Sequence, residues 1–196
     1  FGTEEGISIY DGVQTKVYKP SEFHRQNANP IGNQTHFIAG DKDGNVFFDS
    51  DQSLIRYDIQ TQKFSCLRKS NVYTVASIKG TIWVGIADSI LTWNPDKNDF
   101  DFVTRLENRN QRATCLLEDS GGRYWIGTTD GLFRMNDDKS LTCMIMGEDI
   151  YDLYEDSKYN LWISIRMNGM YKRDVHGNFT RYRYDPSNPN NISSNQ

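Results

Sequence analysis

Asp119-Ser-Gly-Gly-Arg-Tyr-Trp-Ile-Gly-Thr-Thr-Asp-Gly-Leu-Phe-Arg134 is the stretch whose reading decides the fold. Its wording returns more loosely at Asp41–Arg56, Gly80–Thr92 and Asp156–Lys172, and the opening residues 1–9 read as its tail. The large residue at the centre of each copy is Phe47, Trp83, Trp125 and Trp162, at spacings of 36, 42 and 37 residues. A self-similar unit of roughly 40 residues marks a repeat architecture.

Around the clearest copy, Ala113–Glu118 alternates toward a turn at Asp119–Gly122, and Arg123–Thr128 is a β-branched and aromatic run centred on Trp125. Thr129-Asp130-Gly131 is a second tight turn, Leu132–Met135 a third run, Asn136–Ser140 polar, and Leu141–Ile145 a fourth run. Short runs separated by Gly, Asp and Asn are strand and hairpin signals, and no uninterrupted window is long enough for an ordinary helix. Four short antiparallel strands per roughly 40 residues make one blade of a β-propeller. The predicted fold class is therefore all-β, a β-propeller fragment of four complete blades and part of a fifth.

The columns of the repeat have physical readings. Gly44 and Gly122, with Gly80 in a shorter turn, precede the second strand, where a positive φ is cheap only for glycine. The three tryptophans are expected to pack blade on blade. Asp11, Asp58, Asn94, Asn136 and Asp174 hold one column after the third strand, which predicts side chains closing turns on their own backbone. Phe64, Phe100 and Phe179 follow and are expected to anchor the outer strands, while Trp93 departs from a column otherwise held by Tyr10, Tyr57 and Met135 and reads as packing. All of these are scaffold roles.

Composition bounds the function. The chain has 196 residues with 37% hydrophobic, 13% aromatic and only 5 prolines, which is globular and suits an all-β fold. A net charge of −4 gives no basis for nucleic-acid binding, and no apolar run reaches membrane-spanning length. Cys66, Cys115 and Cys143 are odd in number, widely spaced and without a nearby histidine ligand, so buried free thiols are expected, with no metal and no cofactor.

Residues 1–18 read as a partial blade, residues 34–64, 72–102, 113–145 and 150–184 as complete blades, and residues 185–196 as a connector toward another. Residues 19–33 form a polar connector with Pro20 and Pro30. The first complete copy diverges most, with Phe47 for tryptophan, Asp49 for the following glycine and Ser53 for the turn glycine. An array open in phase at both ends predicts a piece of a larger ring, whose open faces are covered by other blades or a second protomer.

The repeat resembles the two-component regulator propeller family. Glu118-Asp119, Trp125-Ile126-Gly127-Thr128 and Gly131-Leu132-Phe133-Arg134 match its pattern nearly throughout. Glu155-Asp156, Asn160-Leu161-Trp162-Ile163 and Gly169-Met170-Tyr171-Lys172 match well, with Ser164 in place of a glycine. Trp83-Val84-Gly85 and Phe1-Gly2-Thr3 match in part, and the Asp185–Asn191 segment with Ser194-Asn195 is similar to the linker between such repeats. The resemblance implies a periplasmic sensor region, often two seven-bladed propellers in tandem, so that this chain is cut from an about seven-bladed ring, ahead of a membrane span and a signalling kinase, in many members responding to oligosaccharides. It carries no functional residue over, because the motif positions are structural.

Some residues invite a sharper chemical reading beside these scaffold roles. Asp41-Lys-Asp-Gly-Asn45 opens like a calcium loop but lacks the distal bidentate glutamate, so it reads as an Asx turn. The Asp-x-x-Gly-x-x-Trp spacing is shared with the Asp-box hairpins of sialidase propellers, and Arg109, Arg112, Arg166, Tyr151 and Asp130 are the residues such an enzyme would have to gather. His24, His36 and His176 have no recognisable nucleophile partner. For binding, blade connectors and second-to-third-strand loops are expected on one face: Asn108–Arg112, Asp51–Gln52, Ala87–Asp88, Thr129–Asp130 and Arg166–Asn168. Arg109, Arg112, Asp130, Arg166 and Asn168 are the candidate ligand residues, since guanidinium, carboxylate and amide groups suit sugar hydroxyls. The expected function is ligand sensing without catalysis. The alternatives are a sialidase- or lyase-like propeller enzyme and a protein-interaction scaffold.

Overall fold

The local chemistry of one hairpin builds most of this molecule. In the computed structural model, Asp119 Oδ1 accepts the backbone N–H groups of Gly121 and Arg123 at 3.0 and 2.9 Å, and its Oδ2 accepts the Trp125 indole N–H at 2.8 Å. Asp156 repeats the pattern with Lys158 N, Asn160 N and the Trp162 indole at 2.9, 2.9 and 2.8 Å. One carboxylate thus closes the turn and orients the ring of the following strand, whose N–H would otherwise be buried unpaired. Asp41 binds Asp43 N and Asn45 N in the same way, and Asn45 Nδ2 takes the Oδ2 position because Phe47 has no donor to offer. Both oxygens of Asp41 are engaged in an ordinary turn.

The structure describes residues 2–3, 6–10, 12–18, 35–50, 53–187, 192 and 194. Among them every regular element is a strand, and no helix is long and apolar enough to cross a membrane. A three-stranded sheet comprises β1 (Gly2–Thr3), β2 (Gly6–Tyr10) and β3 (Thr15–Tyr18). Blade 1 comprises β4 (Ile38–Gly40), β5 (Val46–Ser50), β6 (Ser53–Asp58) and β7 (Lys63–Arg68). Blade 2 comprises β8 (Val72–Ile78), β9 (Thr81–Ile86), β10 (Ser89–Asn94) and β11 (Asp99–Arg105). Blade 3 comprises β12 (Ala113–Glu118), β13 (Tyr124–Thr128), β14 (Gly131–Met135) and β15 (Leu141–Met146). Blade 4 comprises β16 (Ile150–Glu155), β17 (Leu161–Ile165), β18 (Gly169–Arg173) and β19 (Phe179–Tyr182). Every sheet is an antiparallel meander of consecutive strands, so the chain is an all-β propeller array of four four-stranded blades and a three-stranded partial one.

The chain divides into two compact units, residues 1–103 and 104–196. In the second unit blade 4 covers one face of blade 3: Trp125, 1% exposed, lies in a core with Leu132, Ile150, Leu153, Leu161, Ile163 and Ile165. Strand alternation sorts the residues, so odd positions of β17 meet blade 3 while Trp162 and Ser164 point away. Trp162 accordingly remains half-buried, on the face of blade 4 turned away from blade 3. In the first unit Phe47 and Leu54 pack against Val72, Val75, Ile82 and Val84 of blade 2. Trp93 joins them edge-on, its ring 5.2 Å from Phe47 and 5.1 Å from Phe100, and fills the room left where phenylalanine stands for tryptophan.

Turn chemistry follows the columns with two departures. Gly44 and Gly122 have φ of 85° and 77°, and Lys79-Gly80 forms a two-residue turn with φ of 50° and 76°, closing the Ile78–Thr81 pair. In blade 4 the glycine is replaced by Tyr159, which adopts φ 64°. Asp58, Asn94 and Asp174 close the third-to-fourth-strand turns through their side-chain oxygens. Asn136 does not, because Asp138 Oδ1 binds Ser140 N at 3.0 Å and leaves the Asn136 amide to Ser140 Oγ and Thr142 Oγ1. Asp11 lies outside the described residues. Phe64 meets Tyr18 and Tyr57 at 4.9 and 4.8 Å, and Phe179 meets Tyr171 at 6.4 Å, as outer-strand anchors should.

All three cysteines are free, but only Cys115 is buried; Cys66 is half-buried and Cys143 exposed, against the expectation of three buried thiols. Burial pushes the Cys115 thiol up to about 12, which makes it unreactive packing. No cluster of metal-ligating side chains occurs among the described residues. His36 pairs with Asp49, Nδ1 to Oδ2 at 2.9 Å, and the other oxygen of Asp49 binds the backbone N–H groups of His36 and Phe37. Asp49, standing where the repeat has glycine, thereby ties down the approach to β4. His24 lies outside the described residues.

Candidate functional site

Each blade has two ends, one carrying the hairpin turns just described and the other the second-to-third-strand turns together with the connectors between blades. The candidate residues lie at the second end. In blade 3 the connector Asn108–Arg112 is held to the Thr129–Asp130 turn by two hydrogen bonds, Arg112 N to Thr129 Oγ1 at 3.2 Å and Thr129 N to Arg112 O at 3.0 Å. Gln111 is 6% exposed and its Nε2 reaches Asp130 Oδ2 at 3.5 Å, while its Oε1 is buried without a partner. Arg112 folds back, its Nη1 binding the carbonyl oxygens of Arg109 and Gln111 at 2.6 and 2.7 Å. Arg109 enters these contacts through its carbonyl.

Blade 4 builds the same junction with the charges exchanged. Arg166 N donates to Asp149 O at 2.8 Å, as Thr129 N does to Arg112 O, so Asp149 occupies the repeat position of Arg112. Arg166 Nε binds Asp149 Oδ2 at 3.0 Å and its guanidinium lies 5.0 Å from the centre of the Tyr151 ring. Asn168 Nδ2 binds Glu148 Oε2 at 2.7 Å and its Oδ1 accepts from Arg183. Arg181 Nη2 pairs with the mostly buried Glu148 at 2.8 Å. Asp149 Oδ1 is buried without a partner.

The two junctions are continuous, because Gly147 N donates to Asp130 O at 3.2 Å and the Gly147–Asp149 connector runs from one to the other. Arg112, Asp130, Arg166 and Asn168 therefore share one rim of the second unit, with Arg109 beside them. Glu148, Asp149, Gln111, Arg181 and Arg183 are part of that rim and were not identified in the sequence. The repeat carries a signal for the first three: Asp149 shares the column of Arg112 just ahead of the first strand, and Gln111 and Glu148 share the column before it. Asp51–Gln52 lies outside the described residues.

The rim can bind through fixed donors and acceptors and an aromatic face. Its ion pairs preorganise the guanidinium planes, and Gln111 Oε1 and Asp149 Oδ1 lie buried and unpaired beneath it. Arg112, Arg166, Tyr151 and Asp130 do gather on one unit, as a catalytic arrangement would also require.

No curated protein sequence matches this chain. The family model described as two component regulator propeller matches residues 109–130, the blade-3 connector, Asp119 hairpin and Trp125 strand. Among solved structures, the chain superposes on the extracellular domain of BT4673 of B. thetaiotaomicron, described as a hybrid two-component system, with TM-score 0.74 and 20% identity, over 99% of this chain and 27% of that one. It superposes on PorZ, a surface component of the type-IX secretion system of Porphyromonas gingivalis, with TM-score 0.71 and 15% identity, over 99% and 33%. Virginiamycin B lyase from Staphylococcus aureus gives TM-score 0.63 and 16% identity, over 80% and 57%. These identities establish a shared fold, and the chain spans about a quarter of the first of these proteins. The chain has the β-propeller fold, and its residues 109–130 match the two component regulator propeller model.

Proposed function

We propose that this chain is a ligand-sensing segment of an extracytoplasmic, periplasmic two-component sensor, that it recognises an oligosaccharide at the rim of blades 3 and 4, and that it relays occupancy to a downstream kinase. The observation that carries the reading is the convergence of Arg166, Asn168, Asp130 and Tyr151 along one connector. Sugars are bound by such sets of planar donors, fixed acceptors and an aromatic face. The repeat match and the fold shared with an extracellular sensor domain support the same assignment. The fold shared with a lyase makes turnover the competing reading.

Calorimetric titration with a panel of neutral and acidic oligosaccharides, with the sugar analysed afterwards, tests both. Saturable binding of one sugar, unchanged on recovery and at least tenfold weaker for Arg166→Ala, is the expected result. Recovery of a cleaved sugar overturns it in favour of an enzyme. Silence across the panel overturns it in favour of an interaction scaffold.

A further inference from the structure

Trp125 occupies a seat built from two sheets. Leu132 and Arg134 line it from its own blade, and Leu153, Leu161, Ile163 and the Arg173 guanidinium line it from blade 4. The strand registers carry these positions over to the three-stranded sheet and blade 1. Gly2 pairs with Ile7 as Gly127 pairs with Leu132, so Ile7 and Ile9 of β2 stand where Leu132 and Arg134 stand in β14. Blade 1 matches blade 4 in the same way: the Ile38–Phe48 pair repeats Leu153–Ile163, and the Val46–Tyr57 pair repeats Leu161–Arg173.

Those six counterparts, Ile7, Ile9, Ile38, Val46, Phe48 and Tyr57, wall a cavity of about 280 Å³ between the three-stranded sheet and blade 1. It is continuous with the packed interface of the two sheets, where Ile7, Phe48, Ile55 and Tyr57 are buried together. The two guanidinium positions of the Trp125 seat are held here by Ile9 and Tyr57, and no charged side chain lines the cavity among the described residues. Tyr10, Ile38 and Ile59 are exposed and open it to solvent. Its volume lies just below the roughly 300–1,000 Å³ of small-molecule sites and suits one large apolar side chain.

The backbone beside the cavity has the matching opening. β1 meets β2 at two positions, against five where β13 meets β14. Ile9 and Tyr10 therefore have β3 on one side and no strand on the other among the described residues. An open strand edge next to an apolar pocket is the arrangement that accepts an added strand, in which main-chain hydrogen bonds give affinity and the pocket selects the side chain. Strand alternation aims a residue opposite Ile9 at the cavity, as it aims Trp125, opposite Arg134, at blade 4.

We propose that the edge of β2 and this cavity form a strand-acceptor site. It takes an extended segment of the repeat's own kind, antiparallel to β2, with a tryptophan opposite Ile9 and its ring in the cavity. The incoming strand pairs along the whole of β2 and displaces the two-position contact of β1. A segment that begins at the turn aspartate brings its own acceptor for the indole N–H, as Asp119 does for Trp125 at 2.8 Å. The site belongs to the first unit and the rim to the second, so it does not depend on the rim's ligand.

The test is calorimetric titration of the chain with a synthetic peptide of sequence Asp119–Thr128, capped at both ends, beside the same peptide carrying Trp125→Ala. Saturable one-to-one binding of the first is expected, with the alanine peptide at least tenfold weaker. Ile38→Lys in the chain, which sets an ammonium on the exposed wall of the cavity, is expected to weaken the tryptophan peptide at least tenfold. Lys158→Gln, at an exposed turn of blade 4, leaves it unchanged. The alanine peptide needs no change in the chain, so its loss of binding stands even where Ile38→Lys melts early. Absence of saturable heat overturns the proposal, as does equal affinity for the two peptides or full binding by Ile38→Lys.

Discussion

Blades 3 and 4 use the same hairpin to different ends. Asp119 and Asp156 each accept two backbone N–H groups and one indole N–H at nearly equal distances. Yet Trp125 is 1% exposed beneath blade 4, while Trp162 is half-buried, covered on its own sheet by Tyr182 at 5.7 Å and Lys172 at 5.6 Å. The guanidinium over Trp125 comes from blade 4; the ammonium over Trp162 comes from its own blade. A hairpin of this kind is a local folding unit, and its energetic weight is set by what packs on it.

The largest effect should come from the rings. Trp125→Ala removes a fully buried indole and is expected to cost about 3–5 kcal/mol, whereas Trp162→Ala should cost about 1–2 kcal/mol. Equal losses in denaturant melts would break the comparison. The turn acids come next. Asp119→Ala strands the buried Trp125 N–H and frees Arg123, for a loss of about 2–3 kcal/mol; Asp156→Ala should lose visibly less in the same melts.

A third test exchanges the position after each tryptophan pair. A Cβ on Gly127 would come 2.3 Å from Cys115 Sγ and 2.7 Å from Ile150 Cγ2, so Gly127→Ser should cost about 2 kcal/mol as blade 4 is pushed away. Ser164→Gly, at the matching site of blade 4, should stay within about 1 kcal/mol of wild type, since only strand propensity changes. Smaller still is the turn itself. Tyr159→Gly relieves a positive φ and should stabilise by about 1 kcal/mol, while Gly122→Ala should destabilise by a similar amount.

The pH dependence sharpens the picture. Burial alone would raise the Asp119 carboxyl, but the Trp125 indole and the backbone and guanidinium of Arg123 outweigh it and hold the group below its ordinary 3.8. Hydrogen bonds from Asn160 and Trp162 hold Asp156 lower still. The folded state therefore binds fewer protons than the unfolded chain in that range. This stability is complete above the ordinary carboxylate pKa and is lost as pH falls through the lowered values. Melting temperature should drop as pH is taken below about 4, and Asp119→Asn should flatten that drop.

The readable parts of the sequence were those whose partners lie a few residues away. Asp119 finds its donors two, four and six residues on, so the motif and its hydrogen bonds are the same fact. Asn136 shows the limit even there, because Asp138 competes for the same turn. Arg112, Asp130, Arg166 and Asn168 could be placed at one end of their blades from topology. What they touch could not be placed: Glu148, Arg181 and Arg183 complete the rim from a different connector and an outer strand. Trp93 looked like an irregularity in its own column until Phe47 of the neighbouring blade explained it.

Sequence alone determined the repeat, the four-stranded meander and the Asp-capped hairpins, because period-2 alternation and short-range side-chain hydrogen bonds are written within a dozen residues of one another. Tertiary structure decided which tryptophan is core, which glycine has no room for a Cβ, and how the rim's charges pair. Those outcomes depend on groups some 40 residues apart that are brought within a few ångströms only when one blade lies on the next.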